Sequence, residues 1–189
     1  MPRPGADRYN VSMADRRDPS SVTAPDALHS HTVAIPDLRA LDGFAAQLAD
    51  RARQGDVFAL SGDLGAGKTA LARSFISALA KREGAPAPAD VPSPTFTLVQ
   101  EYEIGTQRVF HFDLYRLKRP EEAIELGLED ACADGIALIE WPERLGGYLP
   151  RDRVDVRLVI IGSGRRAEVV PRGRAVSRYS GLPPAGESR

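Results

Sequence analysis

Apolar residues along this chain switch between two spacings, and each switch marks an element. TVAIP (32–36) reads as a short strand, with Asp37 placed as an N-cap behind it. Leu38, Leu41, Phe44, Ala45, Leu48 and Ala52 then recur at helical spacing as far as Gly55. VFALS (57–61) is an unbroken apolar run, as a buried strand requires, and it empties into GDLGAGKT. TALARSFISALAKR (69–82) follows as a helix with Leu71, Phe75, Ile76 and Leu79 inward, and EGAPAPADVPSP (83–94) as a Pro-rich loop. TFTLVQEY and QRVFHFDLY flank EIGT around Gly105, which predicts a hairpin and hence an antiparallel pair. Pro120 opens a helix at its first position, Glu121 and Glu122 sit in the first turn, and Gly127 closes it. GIALIEW (135–141) is another buried strand. RVDVRLVII (153–161) alternates for part of its length and pairs with AEVVP (167–171) across GSGRR. Strand, loop and helix followed by further strands make an α/β sandwich with a mixed sheet.

Composition narrows this picture to one domain. The chain has 189 residues, 42% hydrophobic and 27% charged, enough for a single core. Residues 1–31 mix Pro, Ser, Asp and Arg without period and read as a disordered leader; 32–171 form the domain; 172–189 read as a basic flexible tail. The formal net charge of −1 argues against binding nucleic acid or anionic lipid by bulk electrostatics, although residues 163–189 carry six Arg against two Glu. That tail is a candidate for contact with nucleic-acid phosphates, with a solvated tail as the plainer reading. A single cysteine, Cys132, excludes an internal disulfide framework, and no apolar run is long enough to span a membrane or to serve as the core of a signal peptide. A soluble, cytoplasmic protein is the expectation.

The stretch Gly62-Asp63-Leu64-Gly65-Ala66-Gly67-Lys68-Thr69 fits G-x-x-x-x-G-K-[ST] without a mismatch. Gly62, Gly65 and Gly67 let the backbone wrap an anion with successive N–H groups inward. The helix starting near Lys68 adds its positive end, Lys68 a compact charge for the β- and γ-phosphates, and Thr69 a hydroxyl for Mg²⁺. Basic positions elsewhere in the chain are mostly Arg, yet this one is Lys, as a site needing a point charge demands. The motif lies between a buried strand and an amphipathic helix, the context a nucleoside triphosphate site requires.

Mg²⁺ bound with a nucleotide takes one or two protein carboxylates. Two apolar strands end in an acid: VFHFD at Asp113 and IALIE at Glu140. One would hold the metal while the other orients the attacking water, and spacing alone does not assign them. His111, two residues before Asp113, reads as a packed, hydrogen-bonded histidine rather than a catalytic one. Trp141, the only tryptophan, either stacks on a base or fills core. Thr95 and Thr97 stand where a switch-like segment senses a γ-phosphate.

The sole asparagine is Asn10, so the N-K-x-D guanine reader is impossible and ATP is the expected nucleotide. Three classes then stand: an ATPase that resets a partner complex, a small-molecule kinase (with Arg116 and Arg119 as candidate lid residues), and a nucleotide-gated binding module with negligible turnover.

GDLGAGKT (62–69), SPTFTLV (93–99), FHFDLYRL (110–117) and IEWPE (139–143), taken in order, resemble the TsaE family over roughly residues 32–170. The resemblance implies a P-loop NTPase-like three-layer α/β sandwich with a mixed parallel/antiparallel sheet. It implies an ATPase required for threonylcarbamoyl modification of tRNA adenosine 37, acting with a TsaB–TsaD heterodimer and reaching tRNA only through that complex. Carried onto this chain, Leu64 to Thr69 hold phosphates beside Ala70, and Thr69 with Glu140 holds Mg²⁺. Asp113 takes the Walker B-like position. Ser93, Thr95 and Thr97 lie in the switch-like loop, and Gly164 and Arg165 of GSGRRAE lie near the nucleotide. Ala70 follows Thr69 where a second Thr is common in the family.

Overall fold

The computed structural model describes residues 29–182. The chain runs β1 (His31–Ile35), α1 (Leu38–Arg51), β2 (Val57–Ser61), α2 (Lys68–Glu83), β3 (Val99–Ile104) and β4 (Gln107–Asp113). Then come α3 (Glu122–Glu125), α4 (Leu128–Asp134), β5 (Ile136–Glu140), a 3₁₀ segment (Pro142–Tyr148), β6 (Arg153–Ile161), β7 (Gly164–Arg172) and a terminal α5 (Val176–Tyr179). The seven strands form one sheet in the order β1-β7-β6-β2-β5-β4-β3. β2 lies parallel to both β5 and β6, and β4 parallel to β5, while β3, β7 and β1 are added antiparallel. The expected mixed three-layer α/β sandwich is the observed fold.

The central strands are continuous apolar runs because helices cover both faces. One face packs Phe58, Leu60, Val109 and Leu138 against α1 and α2. The other packs Val57, Phe112, Ala137 and Ile139 under α3 and α4. α1 turns Leu41, Phe44, Ala45, Leu48 and Ala49 inward, and Asp37 caps it by accepting from the Ala40 amide at 2.8 Å. All parallel strands point the same way, so Ser61, Asp113 and Glu140 reach one edge of the sheet together. That edge is where an open α/β sheet places its ligand.

Four expectations need correction. TFTLVQEY does not enter the sheet at Thr95: residues 95–98 form a turn that closes with Leu98 at φ +65°, and β3 starts at Val99. The helix after Pro120 ends before Gly127 as expected but starts at Glu122, with Glu121 rather than Pro120 at its boundary, and a second helix, α4, follows, capped by Gly127 in the left-handed conformation (φ +68°). A 3₁₀ segment follows Trp141, a position read only as the end of a strand. The domain also continues past residue 171: Ala175, Tyr179 and Leu182 belong to the larger core. The expected leader 1–31 lies outside the described residues up to residue 28, and so do residues 183–189 of the expected tail.

The tail folds because its cations meet acids on the body. Arg178 and the Tyr179 hydroxyl, the latter at 2.8 Å, both bond Asp56; Arg172 pairs with Asp155, Arg174 with Asp152 and Arg166 with Glu168. Arg166, Arg172, Arg174 and Arg178 of the basic segment thus each have an acid beside them. Tyr179 is fully buried with its ring edge-on to Phe58 at 5.5 Å, and burial pushes its phenol up to about 12, so it stays a donor. Tyr179→Ala is expected to cost about 3–5 kcal/mol of stability by urea unfolding. A loss below about 1 kcal/mol would show that this segment is not part of the core.

Candidate nucleotide site

At the C-terminal edge of β2 the chain makes the glycine-rich turn. Gly62 must be glycine: its φ is +132°, and a Cβ there would lie 2.3 Å from the Leu158 carbonyl oxygen. Gly67 caps α2 in the left-handed region (φ +107°) without any side-chain bond, leaving the first amides of a 16-residue helix free to meet an anion.

Lys68 is 4% exposed and lies folded over the turn, its Nζ donating to the carbonyls of Gly62 at 2.7 Å and Asp63 at 2.9 Å. The same ammonium sits 3.8 Å above the Trp141 ring. Burial pulls this lysine below its usual range, while the charges of Glu140, Glu143, Asp113 and Asp63 act in the opposite direction. The ammonium is thus held by two carbonyls and a π face.

The two candidate carboxylates are adjacent in the sheet, Asp113 standing opposite Glu140, but their partners differ. Glu140 accepts from the Thr69 hydroxyl through Oε2 at 3.0 Å and meets His111 Nε2 through Oε1 at 2.8 Å. Asp113 accepts from the Ser93 and Thr95 hydroxyls through Oδ2 and from the Tyr115 amide through Oδ1. Glu140 is therefore tied to the helix start behind the glycine-rich turn and Asp113 to the Pro-rich segment. Leu64, Gly65, Gly67, Lys68, Thr69, Ala70, Ser93, Thr95, Tyr115 and Trp141 join these two acids around a cleft of about 350 Å³.

Beyond the turn, a second cavity of about 420 Å³ opens between the β1–α1 connection and the β6–β7 hairpin. Ile35, Pro36, Leu38, Ala66, Leu158 and Gly164 line it, and Arg165 spans its edge to the carbonyls of Ala66 and Gly65 at 3.4 Å. Gly164 and Arg165, a hundred residues from the glycine turn, do arrive beside it. A larger cavity of about 550 Å³ lies at the opposite edge of the sheet, by Val57, Leu128 and Cys132, and contains none of the phosphate-binding motif. Burial pushes the Cys132 thiol up to about 12, as suits an inert packed cysteine.

The sequence reading of the remaining side chains fares unevenly. Thr97 is exposed and does not line the cleft, unlike Ser93 and Thr95. Trp141 sits at the Lys68 end, with Tyr115 at 5.0 Å between ring centroids, so its indole faces the phosphate end rather than the second cavity. Arg116 stacks on Phe96 at 4.4 Å and Arg119 pairs with Glu122; neither lines the cleft. Sequence reasoning missed the His111–Glu140 pair, and its one signal was a polar residue at an inward position two places before a strand-end acid.

Residues 35–167 match the family profile described as "Threonylcarbamoyl adenosine biosynthesis protein TsaE". Among curated relatives, the chain is similar to the tRNA threonylcarbamoyladenosine biosynthesis protein TsaE of Rickettsia typhi, 37% identical over 65% of this chain and 82% of that one. The Haemophilus influenzae protein of the same name is 41% identical over 59% of this chain and 67% of its own. Among solved structures, that of Bacillus subtilis YdiB superposes with a TM-score of 0.61 at 28% identity, covering 79% of this chain and 88% of that one.

Proposed function

The chain belongs to the TsaE family, and from that premise we propose that it is an ATPase serving threonylcarbamoyladenosine formation in tRNA, working with a TsaB–TsaD heterodimer to permit repeated turnovers. One observation carries the nucleotide reading. Thr69 and Glu140, 71 residues apart, bond to each other at the mouth of a glycine-rich turn and beside a buried lysine.

The donor set fits Mg²⁺ arriving with a nucleotide. One hydroxyl and one carboxylate are already paired, and among the described residues no cluster of three or more His, Cys, Asp or Glu could hold a metal alone. Such a site leaves the other coordination positions to phosphate oxygens and water, the usual arrangement for this ion. Mg²⁺ bound there supplies charge neutralisation across the β- and γ-phosphates. The amides of residues 64–69 and the end of α2 hold those phosphates. Lys68 leaves the Gly62 and Asp63 carbonyls for the γ-phosphate, and Thr69 and Glu140 take the metal. Asp113 anchors Ser93 and Thr95 against β4, so that segment can sense whether the γ-phosphate is present. The base enters the cavity beside Gly164 and Arg165, whose apolar walls suit a purine.

Among the described residues lining the cleft none is Arg, so no arginine finger stands in the cleft itself. Turnover by the isolated protein is therefore slow, with rate gained from the partner proteins. Among the described residues no helix is long and apolar enough to cross a membrane. The test is phosphate release measured for the protein alone, with TsaB–TsaD, and with tRNA added. Stimulation by the heterodimer supports the reading, and stimulation by a small-molecule acceptor instead would identify a kinase. ATP is also expected to change Trp141 emission saturably, because binding draws the ammonium off the indole; unchanged emission under calorimetrically proven binding would contradict the assigned path of Lys68.

A further inference from the structure

His111 is fully buried inside β4, on the sheet face that packs against α2. Its Nε2 meets Glu140 Oε1 at 2.8 Å, and the other carboxylate oxygen takes the Thr69 hydroxyl at 3.0 Å. An ionised carboxylate only accepts, so Nε2 carries the hydrogen. The Nδ1 atom, equally buried, has no partner. A buried polar atom left unpaired costs stability that Leu or Phe in the same volume would avoid. The ring is also sealed from water and does not line the cleft, which it meets only through Glu140. What remains is its grip on Glu140. A carboxylate with both oxygens bonded, one to each side, cannot rotate about its last bond.

We propose that His111 is a positioning residue, which fixes the Glu140 carboxylate so that its free edge and the Thr69 hydroxyl face the metal together. The inference rests on the nucleotide reading above and deepens it. Partners behind a metal ligand typically govern affinity by 10–100-fold. His111 thus acts on the coupling between Mg²⁺ and ATP, and leaves contacts of the phosphates with the turn untouched.

The test compares wild type with His111→Gln, His111→Asn and His111→Leu by calorimetric titration with ATP, in EDTA and in Mg²⁺, alongside thermal melting. A Gln amide nitrogen reaches the place of Nε2, whereas the shorter Asn reaches only that of Nδ1. All four proteins are expected to bind ATP within about twofold of one another in EDTA. In Mg²⁺, wild type and His111→Gln tighten alike, while His111→Asn and His111→Leu lose about tenfold of that tightening. Full Mg²⁺ coupling in Asn or Leu, or a loss in Gln as large as in Leu, overturns the inference. If the Leu protein does not fold, the Gln–Asn comparison decides the matter with the same amide at two reaches. Wild type failing to bind ATP under either condition overturns the nucleotide reading itself, a result distinct from the others.

Discussion

Lys68→Ala is expected to reduce ATP turnover by about 10²–10³-fold while the protein stays folded. Lys68 is the sole cation among the described residues lining the cleft, so no neighbour replaces it against the charge that develops on the γ-phosphate. Loss of one preorganised donor to a developing charge costs about that factor. Folding survives because the two carbonyls that lose their donor belong to the turn: Gly62 is half-buried and Asp63 exposed, so water can serve both. Arg at this position should not rescue activity. The lysine is enclosed between an indole and two carbonyls, a space suited to a compact ammonium rather than a planar fork. Phosphate release and circular-dichroism melting on the same preparations check both halves. Turnover near wild type would remove the lysine from the proposed mechanism.

The elements legible in the sequence are those whose identity is settled locally. Strands at 57–61 and 136–140 announce themselves because a parallel strand buried on both faces must be apolar throughout, and the phosphate turn because its glycines are sterically compelled. The elements missed are held by partners distant in sequence. Thr95-Phe96-Thr97-Leu98 has the residue types of a strand, but Asp113 draws Ser93 and Thr95 into a turn from eighteen to twenty residues away. α4 buries only Leu128 and Ala131 along its seven residues, too few for a period to register. The C-terminal segment looks polar and solvated until Asp56, Asp152 and Asp155 are brought beside its arginines.

The same distinction runs through the site. Spacing identified both acids but could not rank them, since Asp113 and Glu140 each end an apolar strand. Register ranks them. The parallel pairing of β4 with β5 sets the two side by side, yet α2 presents Thr69 to Glu140, and the Pro-rich segment presents its hydroxyls to Asp113. One acid is thereby bonded to the hydroxyl proposed to meet the metal, and the other to the segment proposed to respond to the nucleotide.

That division predicts unequal losses. Glu140→Ala should lower turnover by about a hundredfold, the upper end of what removing a mere supporting partner costs, and by more than His111→Ala. The variant frees the Thr69 hydroxyl and strips His111 of its acceptor at once, so Glu140→Gln is the cleaner probe: it keeps the shape and removes the charge. Glu140→Gln should retain ATP affinity in EDTA yet lose most of the gain that Mg²⁺ gives, and its turnover should fall nearly as far as that of Glu140→Ala. Asp113→Asn keeps the Thr69–Glu140 pair, so its Mg²⁺ coupling should persist while the Ser93–Thr95 segment loosens and becomes open to proteolysis. Isothermal titration at several Mg²⁺ concentrations, with limited digestion beside it, separates the two acids. Should Asp113→Asn abolish the Mg²⁺ gain and Glu140→Gln preserve it, the assignment reverses: the hydroxyl pair would belong to loop anchoring, and the Pro-rich segment would close directly over the metal.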